Sequence, residues 1–536
     1  MRTSPDSPAT RSTDPAHAPS AVRAGGRGRA TALAALARTH WLIAVLLAAG
    51  LVLRLLTVFA YRPALLYVDT FKYLLGEYPG SDPLGYRLIL KTILVAGNLQ
   101  LVAIIQHLLG LAIAVTLYVL LLRRGAPRWL AALAAAPVLL DAYQLQIEHL
   151  IMPDVWFEAL VVAGLAVLLW RPAVTVPAAA VAALLLGSSA TVKQTGELLI
   201  VPVAVFLLVA VRGWGRALAT TGVMAVAFVA PILGYCTVSL VQTGHFWLSA
   251  GQPNSGRMAY AADCATLKLP PAVRPLCPDP AAQANGPDWL EHSGRSPLHK
   301  APIPPGADRK ELISQLTSAV LHQQPLRVAG SALRDSIRLF ALTRDGVQSV
   351  TPIERWQFQP EFPQYPPWVS TGPQNEIIVG VQHVTFGPFD KSVLNPAYGG
   401  PAEVNHGLAM FLRRYQIHGG YSPGPLFLLL TLTALAGSAA ALARRRTGRL
   451  LPTAQACFLL TACAATLLLI PDFLEFSWRY QLPALVTLVP GGALGLAVIL
   501  NWRSRREPPP GPPAGPGDPG DPANPQQPAA PDPAAS

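Results

Sequence analysis

The sequence predicts an all-α polytopic membrane protein with about ten transmembrane helices and a mixed, mostly helical and irregular exterior domain. Three observations carry that expectation. Of 536 residues, 51% are hydrophobic and 13% charged, roughly half the charged share of a soluble globular domain, and mean hydropathy is +0.37. Apolar runs near the length of a bilayer span recur through most of the chain. The connections between those runs alternate in charge. A net charge of +12 would suit a nucleic-acid binder, yet the arginines cluster beside apolar runs instead of on one polar soluble face, which argues against a nucleic-acid partner.

Residues 1–38 are rich in Arg, Pro, Ser, Thr and Ala without periodicity and read as a disordered basic arm. The following run, Trp41 to Ala60, is long enough to span and is followed by no A-x-A cleavage pattern, so it is expected to stay as a helix. Residues 39–241 then form an N-terminal transmembrane module of about seven spans, with a first exterior loop at 61–98. Its spans are expected near 41–60, 99–122, 129–146, 150–170, 173–190, 197–212 and 217–241. About three more, 422–443, 451–471 and 480–501, make a C-terminal module over 422–502. The tail, 503–536, is a Pro/Gly-rich appendage too poor in apolar residues to fold.

Short cytoplasmic loops collect Lys and Arg, and alternate connections here do so: Arg123, Arg124 and Arg128; Arg171; Arg212 and Arg216; Arg444 to Arg446 with Arg449; Arg503, Arg505 and Arg506. The intervening connections hold Asp69, Glu77 and Asp82; Asp141, Glu148 and Asp154; Glu197; Asp472 and Glu475. Both termini are therefore expected in the cytoplasm of a cell-membrane protein, with the Asp69 loop and residues 242–421 outside. Helices are expected over Asp308 to His322, Pro325 to Phe340 and Pro401 to Tyr415, with no strand pattern strong enough to predict a sheet. Cys264 and Cys277 flank a Pro-containing polar stretch in this region and suit a local disulfide in an oxidising compartment, whereas Cys236, Cys457 and Cys463 sit in or beside apolar runs as small hydrophobes.

The stretch Tyr61 to Lys91 attracts the chemistry. It is a polar, aromatic loop between spans, with Asp69 between Tyr67 and Lys72 and a Gly/Pro turn at Pro79 to Gly85. Beyond it, Arg87 and Lys91 are four apart on an apolar segment, the pattern of a helix lying in the membrane surface with its basic side toward headgroups. Glu148, His149, Asp154, Lys193 and Gln194 lie in later acidic connections, and Glu158 enters a span, where an ionisable side chain needs a partner. No HExxH or DxD pattern accompanies His149, so no metal and no cofactor are expected. The last such connection is PDFLEFSWRYQLP, with Arg479 and Tyr480 at the mouth of the final span, where a planar guanidinium suits a lipid phosphate.

With Asp69, Tyr67, Lys72 and Tyr73, the DPLGYRLIL run, and Arg479, Tyr480 and Pro483 in these places, the layout of residues 40–500 resembles the GT-C class of polyprenyl-phosphate-sugar-dependent membrane glycosyltransferases, in an actinobacterial-type, GC-rich composition. Many relatives carry two adjacent acids where this chain has Asp69 followed by Thr70. The resemblance implies transfer of a sugar from a polyprenyl-phosphate donor to an envelope glycan, glycolipid or protein acceptor outside the membrane, with inversion. Asp69 would be the general base; Arg87, Lys91, Lys193 and Arg479 would bind the donor phosphate in place of a metal ion; Lys72, Tyr73, Glu148, His149, Asp154 and Tyr480 would orient substrate. A transporter or lipid flippase is the main alternative, and a non-catalytic membrane assembly protein the other. No repeated half favours the first, and a third of the chain outside the membrane is more than transport requires.

Overall fold

The computed structural model describes residues 38–74, 82–249, 254–344, 351–361, 369–371, 377–379, 382–383, 399, 402–443, 451–473 and 475–503. The expected arm, apart from Arg38, and the expected tail beyond 503 lie outside them, as do Glu77, the Pro79 to Ser81 part of the expected turn and the arginine cluster at 444–449.

Apolar sequence becomes helix wherever the run lacks breakers. The N-terminal module consists of α1 (Trp41–Ala60), α2 (Val68–Leu74), α3 (Gly85–Ala96), α4 (Leu99–Arg123), α5 (Arg128–Leu140), α6 (Ala142–His149), α7 (Asp154–Leu169), α8 (Val176–Val192), α9 (Ile200–Ala210) and α10 (Trp214–Thr243). The region that follows carries α11 (Arg309–Gln323), α12 (Pro325–Ser336), α13 (His406–Ile417) and several one- or two-turn helices, and the C-terminal module carries α14 (Gly424–Leu442), α15 (Leu451–Leu469) and α16 (Leu488–Arg503). Asn98, Asp141, Asp308 and Asn405 cap α4, α6, α11 and α13 by accepting first-turn N–H groups, which is what short polar side chains do at helix starts.

Among the described residues, six helices are long and apolar enough to cross a membrane, or seven if the bent pair α5 and α6 counts as one span; this is a multi-pass membrane protein. The expected count of about ten is not reached by length and composition. The difference lies between 129 and 212, where Asp141 separates α5 from α6 at a 51° bend, α7 has 16 residues, and α8 and the Gln194–Ala210 segment fall short of a full span.

α10 packs along α8, α8 along α7, α7 and α5 against α4, and α1 against α5, while α14, α15 and α16 form a second group joined to the first through α9 with α15 and α5 with α16. Small residues permit such close contact without water to drive it: a Cβ on Gly495 would lie 2.0 Å from the Thr433 carbonyl oxygen. Among the described residues, the Arg124 and Arg171 connections meet at one end of the bundle, and the Asp69, Asp154 and Arg479 connections meet at the other. At one end Arg124 donates to the carbonyls of Leu169 and Arg171, both at 2.6 Å, and its own carbonyl accepts from Thr453. At the other, α1 runs into the Asp69 loop, and Lys193 and Arg479 meet Asp154.

Between the modules, Leu267, Val273, Leu276, Leu290, Leu298, Leu312, Leu316, Val320 and Val328 make a separate small core. Cys264 and Cys277 pack on it and are disulfide-bonded, Cα to Cα 5.9 Å. α11 and α12 follow the expected ranges, the latter ending in a tight turn over Ile337–Phe340; α13 starts later than expected, at the Asn405 cap. Short strands do occur: Tyr61–Arg62 pairs antiparallel with Glu403–Val404, and Val369–Thr371, Ile377–Val379 and Gln382–His383 form a three-stranded sheet. Two and three residues are too short for an alternation to register in sequence.

Candidate active site

The Asp69 loop is pinned from both sides. Leu65 forms a parallel bridge with Leu150, its N–H donating to the His149 carbonyl at 3.1 Å and its carbonyl accepting from Ile151 at 3.1 Å. The Thr70 hydroxyl donates to the Ile151 carbonyl at 3.1 Å and accepts from the Tyr67 N–H at 2.9 Å. α2 therefore starts in one place, with Asp69 in its first turn.

Six charged side chains converge there. Arg479 donates through Nη1 to Asp69 Oδ2 at 3.1 Å, and through Nη2 and Nε to Asp154 at 2.9 and 3.1 Å. Lys193 donates to Asp154 Oδ1 at 2.8 Å. Lys72 pairs with Asp69 Oδ1 at 3.3 Å and also with Asp82. Three carboxylates thus balance three cations, and the cluster is formally neutral. Aromatic faces frame it: the Arg479 guanidinium lies 5.3 Å from the Trp356 ring, Lys193 lies 5.2 Å from the Tyr480 ring, and Tyr67 packs on Trp356 at 4.9 Å.

The two acids that share Arg479 differ in access. The Asp69 side chain is 29% exposed and that of Asp154 5%, so Asp69 is the more accessible of the two. Burial by itself would raise the Asp69 carboxyl, but Lys72 and Arg479 more than offset it and hold it below its usual range. Burial pushes the Tyr67 phenol up to about 12, Arg355 offsetting part of the rise, so Tyr67 stays neutral and is no rival base.

Asp69, Lys72, Asp154, Lys193, Arg479 and Tyr480 are brought together. Other candidates stand apart. Arg87 and Lys91 form no ion pair with another described residue; α3, which carries them, exposes Leu88 (70%) and Val95 (91%) in the manner of a surface-lying helix. Tyr73 is buried edge-on against Tyr86 at 5.3 Å. Glu148 and His149 are fully buried. Glu148 accepts from Arg54 at 2.7 Å and pairs with His107 Nδ1 at 2.9 Å, His107 Nε2 meets His149 Nδ1 at 3.1 Å, and His149 Nε2 meets the Tyr61 carbonyl at 2.8 Å. That chain holds the segment on which the Asp69 loop hangs and offers substrate no free group. Glu158 accepts from Gln144 at 2.8 Å.

Arg54, Gln106 and His107 were not singled out in the sequence, although an ionisable residue in mid-span is a signal in itself. Gly110 shows how tightly they are packed: a Cβ there would lie 2.1 Å from Glu148 Oε1. Elsewhere Asp288, His292 and Glu475 place potential ligand atoms within 4.8 Å of one another. Arg355 already holds Asp288 through two contacts at 3.1 and 3.2 Å, supplying positive charge there.

No protein-family model and no curated protein matches the chain. Among solved structures, the crystal structure of ArnT from Cupriavidus metallidurans bound to undecaprenyl phosphate is similar at 13% identity, over 85% of this chain and 78% of that one, with a TM-score of 0.29. A likeness that loose bears on neither the fold nor the chemistry of this chain.

Proposed function

We propose that this protein is an integral-membrane glycosyltransferase that moves a sugar from a polyprenyl-phosphate donor to an envelope glycan, glycolipid or protein acceptor at the extracytoplasmic face. The observation that carries the reading is the shared guanidinium: Arg479 contacts the accessible carboxylate of Asp69 and the buried one of Asp154 at once. The GT-C-like arrangement of the sequence supports it, and the opposite placement of arginine-rich and acid-rich connections supports the sidedness.

In the proposed reaction the acceptor oxygen attacks the anomeric carbon as the bond from that carbon to the phosphate oxygen breaks, and the electron pair leaves on the phosphate. The acceptor proton passes to Asp69. A phosphodiester with one negative charge becomes a phosphomonoester with up to two, so positive charge is needed most as the bond breaks. Arg479 and Lys193 supply it. A paired carboxylate is a weak base, and a donor phosphate that draws the guanidinium away from Asp69 raises its basicity at the moment it is required. Once Asp69 is protonated its claim on Arg479 ends, and the guanidinium is free to face the departing phosphate. Asp154, out of reach of solvent, keeps Arg479 and Lys193 aligned throughout.

The test is purified protein in liposomes with a radiolabelled polyprenyl-phosphate sugar and a membrane extract as acceptor. Label moving into extract material with release of polyprenyl phosphate is expected. Passage of the lipid between leaflets without transfer would contradict the enzyme and favour a flippase.

A further inference from the structure

A cavity of about 420 Å³ opens at the end of the bundle opposite Asp69, within the size range of small-ligand sites. It lies where α1 begins, beside the last turns of α4 and the first turn of α5, and is lined by His40, Trp41, Tyr118, Arg128 and Trp129 among others. No carboxylate is among its nine lining residues.

Three features give it a chemical preference. Arg128 lines the cavity, is exposed and forms no ion pair with another described residue, so its five donors are left for a ligand. α5 follows Pro127 with no side-chain cap and no acid in its first turn, leaving first-turn N–H groups and the positive end of the helix dipole at the same place. His40 is held by Tyr118, Nδ1 to Oη 2.5 Å, which fixes the imidazole on one wall. Around this polar centre Trp41 and Trp129 are 62% and 49% exposed, as indoles are at the level of lipid headgroups.

We propose that this cavity binds the headgroup phosphate of an anionic phospholipid, with Arg128 as its principal contact and the two indoles against the glycerol and upper acyl chain. Such a site is separate from the Asp69 centre and stands whether or not the protein is a transferase. A guanidinium paired with a phosphate oxygen in a wall of indole is a lipid site; a dissolved phosphate would leave both indoles in water.

Full-length protein in mild detergent, offered phosphatidylglycerol and phosphatidylcholine in equal amounts, is read by native mass spectrometry. The parent is expected to retain phosphatidylglycerol selectively, Arg128→Gln to lose roughly fivefold of that retention, and Arg128→Lys to lose less, because an ammonium keeps the charge without the fork. Arg216→Gln, which removes another exposed arginine at the same end, is expected to behave as the parent. Equal retention by parent and Arg128→Gln would overturn the site. So would an equal loss in Arg216→Gln, which would reduce it to diffuse surface charge, or full displacement of the lipid by inorganic phosphate.

Discussion

Nη1 of Arg479 lies 3.1 Å from Oδ2 of Asp69, across 410 residues of chain. The loop before the last helix and the loop after the first are thereby held face to face, and the same guanidinium reaches Asp154 from its other edge. One side chain joins three parts of the bundle, and its planarity is what allows two carboxylates to be served at once.

Replacing Arg479 by Lys keeps the charge and loses that geometry. Turnover of a polyprenyl-phosphate sugar is expected to fall about 100-fold, with a smaller change in donor binding because Lys193 remains. Steady-state kinetics on the purified variant check this, and a variant with parental kcat would show that the fork is dispensable.

Asp154→Asn leaves Lys193 with no carboxylate partner among the described residues and the buried Arg479 with Asp69 alone. Breaking a buried pair in this way costs about 3–5 kcal/mol, so a lower melting temperature is expected together with lost activity. Asp69→Asn, at a partly exposed position, is expected to melt closer to the parent. Thermal unfolding of the two variants side by side separates the holding carboxylate from the reacting one.

Gly110→Ala drives a methyl group into Glu148, whose oxygens are tied to Arg54 and His107 and cannot retreat. Expression and melting temperature should both drop, and the loss should carry over to the Asp69 loop because His149 and Leu150 support it. Unchanged stability would mean that the Glu148 network is slack.

The pH dependence has a sign. Burial, with the Asp288 carboxylate beside it, pushes Glu475 up to about 8, Arg355 offsetting part of the rise. The folded protein therefore keeps a proton that the unfolded chain releases near about pH 4.3. The stability from this group is full below that pH and is lost as pH climbs through about 8. Melting temperature should decline across the window, and Glu475→Gln, which cannot ionise, should flatten the decline. A parental slope in the variant would assign the effect to another group.

Much of this was legible in the chain and some was not. Asp69, Lys193 and Arg479 could be picked out because each is a charge in a short polar stretch beside an apolar run, where few other residues compete for a role. The Cys264–Cys277 bridge was legible because two cysteines share one polar stretch. Which charges meet was hidden, since Asp154 pairs with a residue 325 positions away and no local pattern encodes that. Arg54 and His107 lie inside apolar runs whose hydropathy conceals them, so the Arg54–Glu148–His107–His149 chain has no signature in the sequence and Glu148 and His149 look available to substrate there. The expected count of about ten exceeds the six or seven helices that pass by length and composition among the described residues, because the 129–146 run bends at Asp141 and the runs near 150–212 form shorter helices than a full span.

The central claim is that Asp69 takes the acceptor proton, and single-turnover transfer from a polyprenyl-phosphate sugar by Asp69→Asn, with donor binding measured on the same preparation, tests it most directly. The account predicts donor binding close to parental and a transfer rate lower by about 100 to 10,000-fold. Transfer at the parental rate would contradict it.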